Sequence, residues 1–203
     1  MAQQPILIAC ALKKECARLC QRFSADSAEA QTRQIGPLRF RHTGMGPDRA
    51  AERLAEIVRE ENPRRLIFTG TAGGLDPSLE MGQVILPRAW ILEDGSRFDN
   101  GALGFPAKLP GDPLLQVELG LTVRRPVLRP SARRRLHRDT GAAICDMESA
   151  AVLRTAARLS VPALALKVVS DTGSSGIADF WKHFDANLEH LSQALENLLA
   201  DLA

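Results

Sequence analysis

The stretch Arg65-Leu-Ile-Phe-Thr-Gly-Thr-Ala-Gly-Gly-Leu75 joins a short apolar run to a glycine-rich segment. An apolar run without polar alternation predicts a strand covered on both faces. The glycines at its end, Gly70 to Gly74, predict a loop where backbone N–H groups can come close to a ligand. Their spacing is not that of a dinucleotide fingerprint, and no Gly-Lys-Ser/Thr follows for a phosphate loop.

The same alternation of buried strand and amphipathic helix extends in both directions. Ile6-Leu-Ile-Ala-Cys-Ala11 reads as a second doubly covered strand, followed by a helix from Lys13 to Phe23. Gly36-Pro37 predicts a hairpin whose second arm, Leu38 to Thr43, alternates with period two. Pro47 to Glu60 reads as a helix with Ala50, Leu54, Ile57 and Val58 on one face. Downstream, Gln83–Pro87 and Ala89–Leu92 read as strands separated by proline, and Glu93 to Gly111 as loop. A short helix over Ser131–Arg138, a strand over Ala142–Cys145 and a helix over Met147–Leu159 follow. Ala163–Val169 is a strand, Ser170–Asp179 a loop. In the last helix Phe184, Leu188, Leu191, Leu195, Leu198 and Leu202 recur at spacings of four and three. This order predicts an α/β fold: a single three-layer domain over residues 1–203, with a mostly parallel central sheet flanked by helices.

Composition narrows the function classes. The 203 residues are 45% hydrophobic and 25% charged, as in ordinary globular domains. A formal charge of +2, 4% aromatics and no tyrosine argue against a nucleic-acid binder with stacking platforms. No apolar run approaches the ~18 residues of a membrane span, and Lys13, Lys14 and Glu15 end the first apolar run too early for a signal peptide. Cys10, Cys16, Cys20 and Cys145 lack Cys-x-x-Cys spacing, so free thiols in a reducing cytoplasm are expected. The four histidines form no metal-ligand pattern. Seven arginines between positions 124 and 138 (Arg124, Arg125, Arg129, Arg133, Arg134, Arg135, Arg138) read first as a solvated face.

Three strand ends carry groups suited to chemistry. The glycine segment offers Thr71, Ala72 and Gly73. Cys145-Asp-Met-Glu-Ser149 puts two acids where an apolar strand meets a helix, and Val168-Val-Ser-Asp171 ends another strand in an acid. A carboxylate at a helix start is also favoured by the backbone N–H groups there, so each segment has a plain structural reading by itself. Ligands of open parallel sheets bind beyond the carboxyl ends of the strands, so together the three point to one crevice. Thr43-Gly-Met-Gly-Pro47 is a further strand-end glycine turn, and brings Gly46 to the list.

As a set, Thr69–Leu75, Asp146-Met-Glu-Ser149 and Ser170-Asp171 resemble the purine nucleoside phosphorylase and uridine phosphorylase superfamily. The 5′-methylthioadenosine/S-adenosylhomocysteine nucleosidase branch is the most similar. Ala11-Leu-Lys-Lys-Glu15 resembles that branch's strand-then-Glu motif, and Thr43-Gly-Met-Gly46 its Ser-Gly-Ile-Gly turn. The resemblance runs in order from about Ile6 to the last helix. It implies cleavage of a nucleoside's N-glycosidic bond through an oxocarbenium-like sugar, without cofactor or metal, by a homodimer. By the same resemblance Asp171 is the general acid, with Ser170 orienting it. Glu148 accepts the ribose hydroxyls with Met147 against the sugar, and Glu15 activates water.

The departures bear on substrate and nucleophile. The phosphorylases carry an Arg two residues before the first glycine of the loop, and this chain has Phe68 there, which favours water over phosphate. Phosphate as co-substrate would have to use Thr71 and backbone N–H groups. Where the nucleosidases flank adenine with an aromatic and an aliphatic residue, this chain has Pro126 and Val127. The expectation is a nucleosidase acting on a 5′-modified purine nucleoside. The rivals are a phosphorylase (including the hopanoid-associated type) and a non-catalytic nucleoside-binding protein.

Overall fold

The computed structural model describes residues 4–24, 34–101, 114–172 and 177–201. Along them lie nine strands and five helices: β1 (Ile6–Cys10), α1 (Lys13–Phe23), β2 (Gln34–Ile35), β3 (Leu38–His42), α2 (Pro47–Glu61), β4 (Arg65–Gly74), β5 (Val84–Leu92), β6 (Arg97–Asp99), β7 (Leu114–Thr122), α3 (Pro130–Thr140), β8 (Ile144–Asp146), α4 (Ser149–Arg158), β9 (Ala163–Asp171) and α5 (Ile177–Asp201). Leu202, and parts of the loops expected at 93–111 and 170–179, lie outside the described residues.

Period-two alternation with both faces apolar is what makes the inner strands continuous hydrophobic runs. In β1, Leu7 and Ala9 join the core beneath α2 and α4, while Ile6, Ile8 and Cys10 join the core beneath α1 and α5. β9 divides in the same way, Ala163, Ala165 and Val169 to one side and Leu164, Leu166 and Val168 to the other. The apolar stripe read in the last helix lies in the second core through Phe184, Leu188, Leu191, Leu195 and Leu198. Helices therefore cover both faces, as expected.

The sheet itself differs from the expected mostly parallel one: it is mixed. Five of the nine strand pairings are parallel and four antiparallel. The physical reason lies in β4 and β5. Their glycines and proline do not end the strands, because neighbours pair with the backbone on either side. β4 runs parallel to β9 as far as Ala72, shifts register between Ala72 and Gly73, and pairs its last two residues antiparallel with β8. The glycine segment is thus the second half of a strand rather than a loop.

β5 runs unbroken through Pro87, parallel to β7 and antiparallel to the end of β9. β4, β8, β7, β5 and β9 consequently close on themselves as a five-membered ring. Trp90 is fully buried on β5 and lies against Gly120 of β7, where a Cβ would come within 2.7 Å of the indole. Where β5 and β9 diverge, the Asn100 amide takes the missing strand's place. It donates to the carbonyls of Pro87 and Ala165 and accepts from Ala165 N–H. This leaves β1, β3, β4 and β9 parallel to one another, with their carboxyl ends along one edge.

Candidate active site

Each parallel strand delivers its chemistry at that edge. β1 leads into α1, whose first turn carries Glu15, only 2% exposed. Glu15 Oε2 accepts from Leu12 N–H at 3.0 Å, so the side chain folds back over its own helix start. Oε1 accepts from the backbone N–H of Thr71 at 2.9 Å and from Thr71 Oγ1 at 2.8 Å. β4 can come this close because residue 70 is glycine. Its φ is +140°, and a Cβ there would lie 2.9 Å from both carboxylate oxygens.

The second acid group is built around Asp146 at the end of β8. Its carboxylate accepts from Thr122 Oγ1, from the N–H groups of Glu148 and Ser149, and from Ser149 Oγ. It also pairs with Lys167 Nζ at 3.1 Å. Lys167 is 1% exposed and lies 4.0 Å over the ring of Phe68. Asp146 therefore has two roles, capping α4 and neutralising a lysine inside the sheet.

Glu148, two residues on, is also buried, and its Oε1 accepts from Gly46 N–H at 2.7 Å, where β3 turns into α2. Burial and the neighbouring charge of Asp146 push its carboxyl up to about 7, with a further contribution from Glu15. Lys167 and the Gly46 N–H act in the opposite direction.

The third group ends β9. Ser170 Oγ lies 3.0 Å from the carbonyl of Ala72 and 3.0 Å from Asp171 Oδ2, linking β4 to the acid. Asp171 Oδ1 is paired with Arg133 Nη2 at 2.5 Å. Arg133, on α3, is the one member of the arginine cluster that is buried. The cluster's expected solvated face thus holds for its neighbours Arg134 and Arg135 but not for this residue. Its Nη1 donates to the carbonyls of Gly74 and Asp171, and its Nε to that of Val127. The fold thus sets the acid that ends β9 against a guanidinium.

The residues singled out from sequence are brought together. Gly46 meets Glu148, Thr71 meets Glu15, and Ala72 meets Ser170. Gly73 lies against the guanidinium of Arg133, which Val127 holds through its carbonyl. Met147 packs half-buried against Leu75, Leu121, Val123 and Cys145. Phe68 is wholly buried, so it presents neither charge nor hydrogen-bond donor at the edge.

Sequence reasoning missed two residues, Lys167 and Arg133. Lys167 left a signal, a single charge inside a seven-residue apolar strand. Arg133 left none, since nothing in Ala132-Arg-Arg-Arg135 marks which arginine turns inward. All four cysteines are free and buried, and burial pushes the Cys145 thiol up to about 12, leaving it unsuited as a nucleophile. Among the described residues no helix is long and apolar enough to cross a membrane, and no group of three His, Cys, Asp or Glu side chains could hold a metal.

This arrangement has known counterparts. Residues 5–203 match the family model described as the phosphorylase superfamily. Futalosine hydrolase of Thermus thermophilus is 28% identical over 183 residues, 80% of this chain and 81% of that protein. Among solved structures, a futalosine hydrolase mutant of Helicobacter pylori superposes with a TM-score of 0.83 at 12% identity, over 98% of this chain and 100% of that one. The 5′-methylthioadenosine/S-adenosylhomocysteine nucleosidase of Neisseria meningitidis, solved with methylthio-immucillin-A, gives 0.78 at 17% identity, over 97% and 99%. These likenesses establish the shared fold, and the match of the family model over almost the whole length places this chain in the phosphorylase superfamily.

Proposed function

We propose that the chain is a nucleosidase, cleaving the N-glycosidic bond of a 5′-modified purine nucleoside with water. The observation that carries this is the placement of Glu15. It is a buried carboxylate fixed by three donors at the strand-end edge, on the same edge as Glu148 and Asp171. The similarity to a futalosine hydrolase and to nucleosidases of 5′-methylthioadenosine supports a nucleoside as substrate.

In this reading Glu148 accepts the ribose hydroxyls, bonds that tighten as the sugar becomes cationic, and Met147 lies against the sugar. The bond from C1′ to the base nitrogen breaks with its electron pair going to the base, which takes a proton from Asp171, oriented by Ser170. Water adds its oxygen to C1′ from the opposite face and gives its proton to Glu15. Thr71 N–H and Oγ hold Glu15 in place, while Gly46 does so for Glu148. Ala72 and Gly73 shape the strand end between the acids, and Val127 borders the base.

Water rather than phosphate is the nucleophile. The phosphate dianion would meet Glu15 with Phe68 buried behind it, and Arg133 is already committed to Asp171 and three carbonyls. No cofactor or metal takes part, the enzyme works as a homodimer, and its place is the cytoplasm.

The test is product analysis by mass spectrometry. Base release in phosphate-free buffer with free sugar as co-product is expected, and Glu15→Gln slows it far more than it weakens nucleoside binding. A sugar phosphate formed only when phosphate is added would replace the hydrolase with a phosphorylase.

A further inference from the structure

We propose that the segment joining β7 to α3, together with the outer face of α3, docks on a lipid bilayer rich in anionic headgroups. The attachment is peripheral and does not depend on which reaction the strand ends carry out.

Between Glu118 and Asp139 the chain carries seven arginines and no acid. A chain of formal net charge +2 that concentrates its arginines here is negative elsewhere, so its field is polarised. Arg133 turns inward to Asp171, and that fixes where its neighbours go. At about 3.6 residues per turn, Arg134, Arg135 and Arg138 fall on the opposite side of α3, and all three are exposed. Arg133 Nε also holds the carbonyl of Val127, folding the preceding segment back against the helix start. Arg124, Arg125 and Arg129 of that segment are exposed as well. Arg124 pairs with Asp48 and Arg138 with Asp139. Arg125, Arg129, Arg134 and Arg135 have no ion pair or side-chain hydrogen bond among the described residues.

Helix stability does not account for this pattern. Arg129 occupies the cap position of α3, where a hydrogen-bond acceptor is favoured, and the first turn carries no acid. Arg134 and Arg138 are like charges four residues apart, a destabilising pair on a helix. An external counter-charge relieves both conflicts.

Leu128 decides between kinds of anionic partner. It is 66% exposed, more than any other large apolar side chain among the described residues, and it stands between Pro126 and Pro130 beside Arg129. A bilayer receives both kinds of group, the arginines at its phosphates and the apolar tip beneath them. For a nucleic acid the tip is of no use, and the segment has no Phe, Trp or Tyr on which bases could stack. The four unpaired arginines are held in no fixed arrangement. That suits a fluid field of headgroups better than the fixed hydrogen-bond pattern of a protein partner.

The test is co-sedimentation of the whole chain with vesicles. It is expected to sediment with equal parts phosphatidylglycerol and phosphatidylcholine at low ionic strength, and to stay in solution with phosphatidylcholine alone or at high salt. Each arginine near such a surface strengthens partition by roughly fivefold. Replacing Arg125, Arg129, Arg134 and Arg135 together by glutamine is therefore expected to weaken it by on the order of several hundred-fold. Should that variant not fold in a urea titration, Arg134→Gln with Arg135→Gln is expected to cost roughly 20- to 30-fold. Leu128→Gln should weaken partition by about tenfold. Glutamine at four exposed arginines on other elements, Arg18, Arg22, Arg88 and Arg97, lowers the net charge equally and should cost less than about tenfold. No sedimentation, sedimentation that ignores phosphatidylglycerol, segment variants that bind undiminished, or a control variant that loses as much as they do overturns the proposal. So does a gel shift of duplex DNA or single-stranded RNA at lower protein concentration than half-saturates vesicles of the same phosphate content, which would make nucleic acid the partner.

Discussion

Replacing Glu148 by glutamine is expected to make the protein more stable at alkaline pH while disabling it. Glu148 is buried beside Asp146, and its carboxyl is raised from 4.5 to about 7, by burial first and Asp146 second. Between those two values the folded chain holds a proton that the unfolded chain has released. Stability therefore falls as pH rises through this window, and the full loss is present above about 7. At 1.36 kcal/mol per tenfold change in ionisation, the loss amounts to about 3 kcal/mol. The amide of Glu148→Gln would never ionise, and its carbonyl oxygen can still accept from Gly46 N–H. The variant should thus match the wild type near pH 4.5 and exceed it by up to ~3 kcal/mol at pH 8, roughly 6–12 °C in Tm for a chain of this size. Urea unfolding of both proteins at pH 5 and pH 8 reads the difference. Turnover of a riboside should fall on the order of 10²-fold, because the charge-assisted bonds to the hydroxyls are weakened. A variant less stable than the wild type at pH 8, or a gap that does not change with pH, would refute this account of Glu148.

Gly70→Ala should lower kcat with little change in KM, since the new Cβ would lie 2.9 Å from the Glu15 oxygens on backbone with φ +140°; unaltered steady-state kinetics would mean that Glu15 is not held as argued. Lys167→Met should cost about 3–5 kcal/mol in urea unfolding, because it strands the buried Asp146 carboxylate; a cost under ~1 kcal/mol would show that the pair contributes little. Asp171→Asn should slow base release by on the order of 10²–10⁴, and near wild-type turnover in a folded variant would remove Asp171 from the mechanism.

The elements themselves were largely legible in the residues, because each has a local cause. Alternation of apolar residues on two faces marks β1 and β9, the 3.6-residue stripe marks α2 and α5, and Pro47 and Asn62 bracket α2. The acids Glu15, Glu148 and Asp171 could be picked out because they sit where apolar runs end, although β8, which leads into Glu148, meets β4 antiparallel rather than as one more parallel strand. Strand pairing is another matter, since backbone hydrogen bonds to distant segments leave no local trace. Gly70–Gly74 looks like a loop until β8 and β9 pair with it, and Pro87 looks like a break until β7 runs alongside. β7 itself, with exposed residues along its first half, carries no doubly apolar run to announce it.

The electrostatics of the site were equally out of reach of sequence. Which carboxylate meets a cation depends on how α3 is brought to the end of β9, and β8 to its middle. Only there does Arg133 reach Asp171 and Lys167 reach Asp146. The residue types thus determined which groups could do chemistry at the strand ends. The tertiary structure alone decided which carboxylate is paired with a cation, because charge coupling depends on distance in space and not along the chain.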